Sequence, residues 1–121
     1  MACEVTVRQV EGVAVVDLRG RLTLGAGPDA LKHEVMSLVE SGSNKILVNC
    51  SGLDFMDSAG LGEMVSCCTI VTRRGGSMRL CAVPSRIQDL LRMTRLTDML
   101  KSYANEQAGV AALGGSAAQE R

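Results

Sequence analysis

Lys45-Ile46-Leu47-Val48-Asn49-Cys50, followed closely by Leu53-Asp54-Phe55-Met56-Asp57-Ser58-Ala59-Gly60-Leu61-Gly62, is the stretch that decides the fold. Its first part is a short apolar run of the kind that forms a buried strand. Beyond it, Leu61, Met64, Val65, Cys68 and Val71 recur at helical spacing. Asp57 and Ser58 therefore stand where a strand hands over to a helix. In an open α/β sheet that junction lies at the carboxyl end of a strand, where ligands and partners bind. A helix start also presents free N–H groups and partial positive charge. A serine there can cap the helix, or it can carry a phosphate that the helix end helps to hold.

Working back from this stretch, Pro28 to Ser41 reads as a helix with Leu31, Val35, Leu38 and Val39 on one stripe. Pro28 suits its first turn and Gly42 its left-handed end. A strand–helix–strand succession favours parallel pairing through a right-handed crossover. Further back, Glu4–Val10 alternates in polarity and Val13–Arg19 is valine-rich, with Glu11-Gly12 as a turn between them. These two most simply form an antiparallel hairpin at the sheet edge. Gly25-Ala26-Gly27-Pro28-Asp29-Ala30 loosely fits the dinucleotide-binding glycine pattern. That pattern needs a parallel strand opening a βαβ unit, whereas the strand before it closes a hairpin, so a loop entering a helix is the better reading.

Working forward, the helix from Ser58 stops at about Arg74, before Gly75-Gly76. Met78–Val83 is the next strand. Pro84 opens a third helix with apolar positions Ile87, Leu90, Leu91 and Thr94. Met99–Tyr103 forms a short last strand, and Asn105–Leu113 a last helix. The sum is a mixed α/β sheet of four to five strands with about four helices, mainly on one face. Residues 1–113 read as one domain and 114–121 as a flexible tail.

Composition narrows the function. Lys+Arg and Asp+Glu number 13 each, which disfavours nucleic acid or an anionic membrane as the main partner. With one Phe, one Tyr and no Trp, the core is aliphatic and base-stacking platforms are absent. Five cysteines in no Cys-x-x-Cys spacing suit a reducing, cytoplasmic setting better than a metal or redox site. The start of the chain lacks the features of a secretory signal. Arg73, Arg74 and Arg79 could serve a nucleotide or an acidic partner, although a solvated surface explains them as well. No cofactor or metal is expected.

Three readings of Asp57-Ser58 stay open on the residues alone. One of the two caps the helix and does nothing more. Or Ser58 is a nucleophile, although the first glycine of the G-x-S-x-G elbow is missing and His33 is the only available histidine. Or Ser58 takes a regulatory phosphate, whose charge next to Asp54, Asp57 and Glu63 would expel a partner seated there.

Phe55-Met56-Asp57-Ser58-Ala59-Gly60-Leu61-Gly62 closely resembles the signature of the STAS family, the anti-sigma factor antagonists. Gly20-Arg21-Leu22, Lys45-Ile46-Leu47-Val48, Gly75-Gly76 and Met93-Thr94-Arg95-Leu96 extend the resemblance over residues 4–113. The resemblance implies a mixed sheet and a protein switch without enzymatic activity of its own. The unphosphorylated chain would bind an anti-sigma factor that is also a GHKL-type serine kinase, and so free a sigma factor. Phosphorylation at Ser58 would abolish binding and a serine phosphatase would restore it. Asp57, Ser58, Ala59, Gly60, Leu61 and Gly62 would form the partner surface. Asp57 matches the acidic residue before the acceptor, and the two glycines match positions that keep the helix start accessible. Many members carry a second serine after the acceptor, where this chain has Ala59. An alternative within the family is a scaffold subunit, either of a stress-signalling complex or of a lipid ABC transporter.

Overall fold

The computed structural model describes residues 3–23 and 28–114. Its elements run β1 Cys3–Val10, β2 Val13–Leu22, α1 Pro28–Glu40, β3 Lys45–Met56, α2 Ser58–Arg73, β4 Ser77–Cys81, α3 Ser85–Met93, β5 Ser102–Tyr103 and α4 Glu106–Ala112. The strands form one sheet in the order β1-β2-β3-β4-β5. β1 pairs antiparallel with β2, and the other three pairings are parallel. This is the mixed sheet with an edge hairpin that the sequence implies.

The residue pattern explains the layers. Ala14, Val16, Leu18, Ile46, Val48, Cys50, Met78 and Leu80 face one side of the sheet. They bury Leu31 and Val35 of α1, Leu61, Met64, Cys67, Cys68 and Val71 of α2, and Ile87 and Leu91 of α3. The intervening positions Val13, Val15, Leu47 and Cys81 face the other side, where Val110 and Leu113 of α4 and its end cover them. Three helices thus share one face and the fourth lies alone on the opposite face. β2 is apolar on both sides because both are covered at its start, whereas edge strand β1 alternates.

Four readings are corrected in detail. β3 does not end at Cys50 but continues to Met56. Ser51-Gly52 looks like a strand breaker, yet Gly52 admits the backbone of β2: a Cβ there would stand 2.9 Å from the Leu18 carbonyl oxygen. Register shifts in β2 at Asp17/Arg19 and Gly20/Arg21 carry the pairing onward to Leu22↔Met56. β2 both closes the hairpin and opens a parallel β2–α1–β3 unit, so the hairpin is no ground against the glycine pattern. The loop itself, 24–27, lies outside the described residues. Thr94 is exposed rather than apolar-facing; its hydroxyl donates to the Leu90 carbonyl at 2.8 Å and finishes α3. The last strand is two residues long, although Leu100 just before it is buried. The expected tail lies, apart from Gly114, outside the described residues.

Candidate functional site

Asp57 is the N-cap of α2, in extended conformation, and its carboxylate accepts a hydrogen bond from the Gly60 N–H at 2.8 Å. Its own N–H donates to the Leu22 carbonyl at 3.4 Å, and its carbonyl accepts from Leu61 N–H at 2.9 Å. The cap is therefore tied to both β2 and α2. Of the two residues that could have capped the helix, the aspartate does so.

Ser58 is released from that duty. It is the first helical residue and is exposed, and among the described residues its hydroxyl has no hydrogen-bond partner. The first turn of α2 carries no acidic residue, so the helix start keeps its partial positive charge apart from the Asp57 cap. His33 lies exposed on α1 and makes no hydrogen bond to Ser58, so the geometry offers no histidine base beside this serine.

The remaining positions of the motif divide sharply. Gly60 and Leu61 are buried, Ala59 is half-buried, and Gly62 is exposed. A Cβ on Gly60 would stand 1.9 Å from the Leu22 carbonyl oxygen and 3.1 Å from Met56 Cγ. That glycine lets the helix start sit directly on β2, and it does not serve accessibility. A Cβ on Gly62 would meet nothing within 4 Å. Gly62 lies four residues after Ser58, hence on the same helix face, and leaves the hydroxyl unshaded.

Sequence reasoning missed an apolar surface that starts from the end of β3 leading into this junction. Asp54, Phe55 and Met56 at the end of β3 and Arg86, Ile87, Asp89, Leu90 and Met93 of α3 line a shallow hollow of about 270 Å³. Met93 is 80% exposed, which is unusual for a large apolar side chain. The Arg21 guanidinium lies 4.4 Å from the centre of the Phe55 ring, stacked as a cation on an aromatic face. The available signal was Met93 itself, which falls off the Ile87–Leu91 stripe of α3. Asp54 is exposed on this same rim.

Elsewhere the candidate residues are quiet. All five cysteines are free and buried, and burial pushes every thiol up, Cys67 to about 12 and Cys81 to about 11. Cys67 and Cys68 point to different surroundings, the Cys68 thiol towards the Met99 carbonyl. Among the described residues, no three His, Cys, Asp or Glu side chains converge as metal ligands. Among the same residues, no helix is long and apolar enough to cross a membrane.

With this geometry in view, comparisons with known proteins agree among themselves. The anti-sigma-B factor antagonist of Bacillus subtilis (strain 168) is 29% identical over 110 residues, which is 91% of this chain and 99% of that one. An anti-sigma factor antagonist from Mycobacterium paratuberculosis superposes with a TM-score of 0.81 at 19% identity, over 93% of this chain and 94% of the other. The Bacillus cell fate determinant SpoIIAA in its phosphorylated form superposes with a TM-score of 0.67 at 19% identity, over 87% of this chain and 96% of the other. The model of the STAS domain family matches residues 4–109. That span runs from the edge hairpin through the serine-bearing junction into α4, and by it the chain belongs to the STAS domain family.

Proposed function

We propose that this protein is an anti-sigma factor antagonist whose binding is switched off by phosphate at Ser58. The observation that carries the proposal is the division of labour at the start of α2. Asp57 supplies the cap, and Ser58 presents an unengaged hydroxyl to solvent. A kinase can reach that hydroxyl without breaking a hydrogen bond of the fold.

The docking surface would combine Ser58, Asp57, Ala59 and Gly62 with the hollow around Phe55 and Met93. Gly60 and Leu61 support it from beneath. The unphosphorylated surface joins a small, mainly apolar hollow to a helix start whose partial positive charge is met by the Asp57 carboxylate, a combination that a partner can desolvate. Phosphate adds about −1.5 to −2 charges there. Two effects oppose each other. The helix N-terminus tolerates the phosphate, so the fold persists. Within a partner interface, burying the new charge beside Asp57 without a matching cation costs several kcal/mol, enough to dissolve a tight complex. The second effect wins at the interface because the helix end is already capped by one carboxylate. That relatives named as antagonists share the chain's length and fold supports the assignment, as does a fold neighbour known in a phosphorylated form.

In this scheme the domain supplies an acceptor and a surface. The partner, a GHKL-type serine kinase acting as anti-sigma factor, supplies ATP and catalysis, and a serine phosphatase resets the switch. All three would meet in the cytoplasm. Incubation with the neighbouring-gene kinase and ATP, followed by phosphate mapping, tests the assignment. Phosphate confined to Ser58 supports it. A chain that binds the kinase and stays unmodified, or is modified elsewhere, overturns the switch.

A further inference from the structure

The Ser58 end of the sheet leaves one charged feature of the molecule unused. At the opposite end, where β3 and β4 begin, lies a cavity of about 130 Å³. Asn44, Lys45, Ser77 and Arg79 form its polar wall, Gly75 and Gly76 its rim, and the end of α4 its third side. The β3–β4 ladder pairs Lys45 with Ser77 and Leu47 with Arg79. Lys45 and Arg79 therefore project from neighbouring strands to the same sheet face, the one α4 covers.

Two like charges face this small space, and no acidic residue lines it. Among the described residues neither cation has an ion-pair partner; the pairs there involve Arg8 and Arg92. The Arg79 Nε is buried without a hydrogen-bond partner. A buried charged donor left unsatisfied is costly, so the site is short of an acceptor. The surrounding backbone does not supply it. The Asn44 carbonyl already accepts from the Ser77 N–H, and the Val71 and Thr72 carbonyls accept from the Gly76 and Gly75 N–H groups. At the end of α4, the Gly109 and Ala111 carbonyls accept from Leu113 and Gly114. Exposed Arg73 and Arg74, just before the glycine rim, add to the positive potential.

We propose that this cavity is a binding site for a small oxyanion of the phosphate type. Lys45 and Arg79 are its cationic partners, and the Ser77 hydroxyl and Asn44 amide its neutral donors. The volume is well below the roughly 300 Å³ at which cavities enclose whole small molecules. It admits free phosphate, or one phosphoryl group of a larger molecule whose body remains outside. β3 has 12 residues, and at about 3.3 Å per residue it sets this site roughly 35 Å from the Ser58 end. The proposal stands whether or not Ser58 is phosphorylated.

The test is a titration of the isotope-labelled full chain with inorganic phosphate at fixed ionic strength, followed by amide chemical shifts, with chloride as control and adenosine monophosphate as a second arm. The site predicts saturable shifts at residues 44–45 and 75–79 while the Ser58 amide stays still. Arg79→Gln and Lys45→Gln should each weaken binding at least ten-fold. The Arg73→Gln/Arg74→Gln double variant should stay within two-fold of wild type. Tighter binding of the nucleotide than of phosphate assigns the group to a nucleotide, and equal binding assigns it to free phosphate. Equal shifts in chloride, or binding unchanged in both Arg79→Gln and Lys45→Gln, overturn the proposal. If Arg79→Gln loses its dispersed spectrum, Lys45→Gln decides alone.

Discussion

The Leu22 carbonyl oxygen of β2 occupies the space where a side chain on Gly60 would begin, 1.9 Å from where its Cβ would stand. The start of α2 thus rests on the end of β2 backbone to backbone. Gly60→Ala must push the helix off the strand, and it should lower stability by about 3 kcal/mol or more. Gly62→Ala meets open space and should raise stability by about 0.5–1 kcal/mol through helix propensity. Urea unfolding of the two variants checks this opposition. Equal effects would show that the contact at Gly60 is not what fixes the helix.

The Asp57 cap gives a second prediction. Asp57→Ala leaves the Gly60 N–H without its acceptor and should cost about 1 kcal/mol. Asp57→Asn keeps a capping oxygen and should lie close to wild type in stability. The same pair read in kinase binding separates the cap from the charge. If the carboxylate matters only as a cap, Asn restores binding as well as folding.

On the sheet face opposite α1–α3, the Arg8 guanidinium holds Asp17 through bonds of 2.6 and 2.9 Å and reaches Glu106 of α4 at 2.7 Å. Arg8, with help from the Asn49 amide, keeps the Asp17 carboxyl below the usual carboxylate range. A carboxyl with a depressed folded pKa stabilises fully above its unfolded pKa, near 4, and loses that contribution as pH falls through the folded value. Stability should therefore fall below about pH 4, by about 1 kcal/mol from this half-exposed group. Asp17→Asn should be less stable at pH 7 and show a flatter acid limb in denaturation from pH 7 to pH 2.

The thiols supply a prediction about reactivity. Cys50 and Cys67 are completely buried, with the Cys67 thiol raised to about 12. At pH 8 almost none of this thiol is ionised, and reagent must wait for the chain to open. Labelling by a disulfide reagent should be slow in the native protein, rise with urea along the unfolding curve, and reach five thiols per chain when unfolded. Fast labelling of Cys50 or Cys67 in buffer would contradict the packing.

How much of this was legible in the sequence follows from where the information sits. The hairpin, the βαβ unit and α2 follow from Val13–Arg19, Leu31–Val39 and Leu61–Val71, whose apolar spacing is local. The end of β3 was not legible, because Gly52 means a close approach only if the Leu18 carbonyl is known to face it. The same holds for Gly60, which reads as an accessible position in the motif and is in fact buried against Leu22. Which of Asp57 and Ser58 caps the helix depended on backbone direction. The hollow at Met93 needed two elements, β3 and α3, distant in sequence. Lys45 and Arg79 share a face only through the ladder register.

The central claim is that charge at Ser58 decides partner binding while the fold stays unchanged. Its most direct measurement is the dissociation constant for the anti-sigma kinase of the unphosphorylated chain against the chain carrying stoichiometric phosphoserine at Ser58. Unchanged circular dichroism should accompany a loss of affinity of about 100-fold or more, as expected for several kcal/mol of unpaired buried charge. Equal affinity of the two forms, with the phosphate verified on Ser58, would contradict the account.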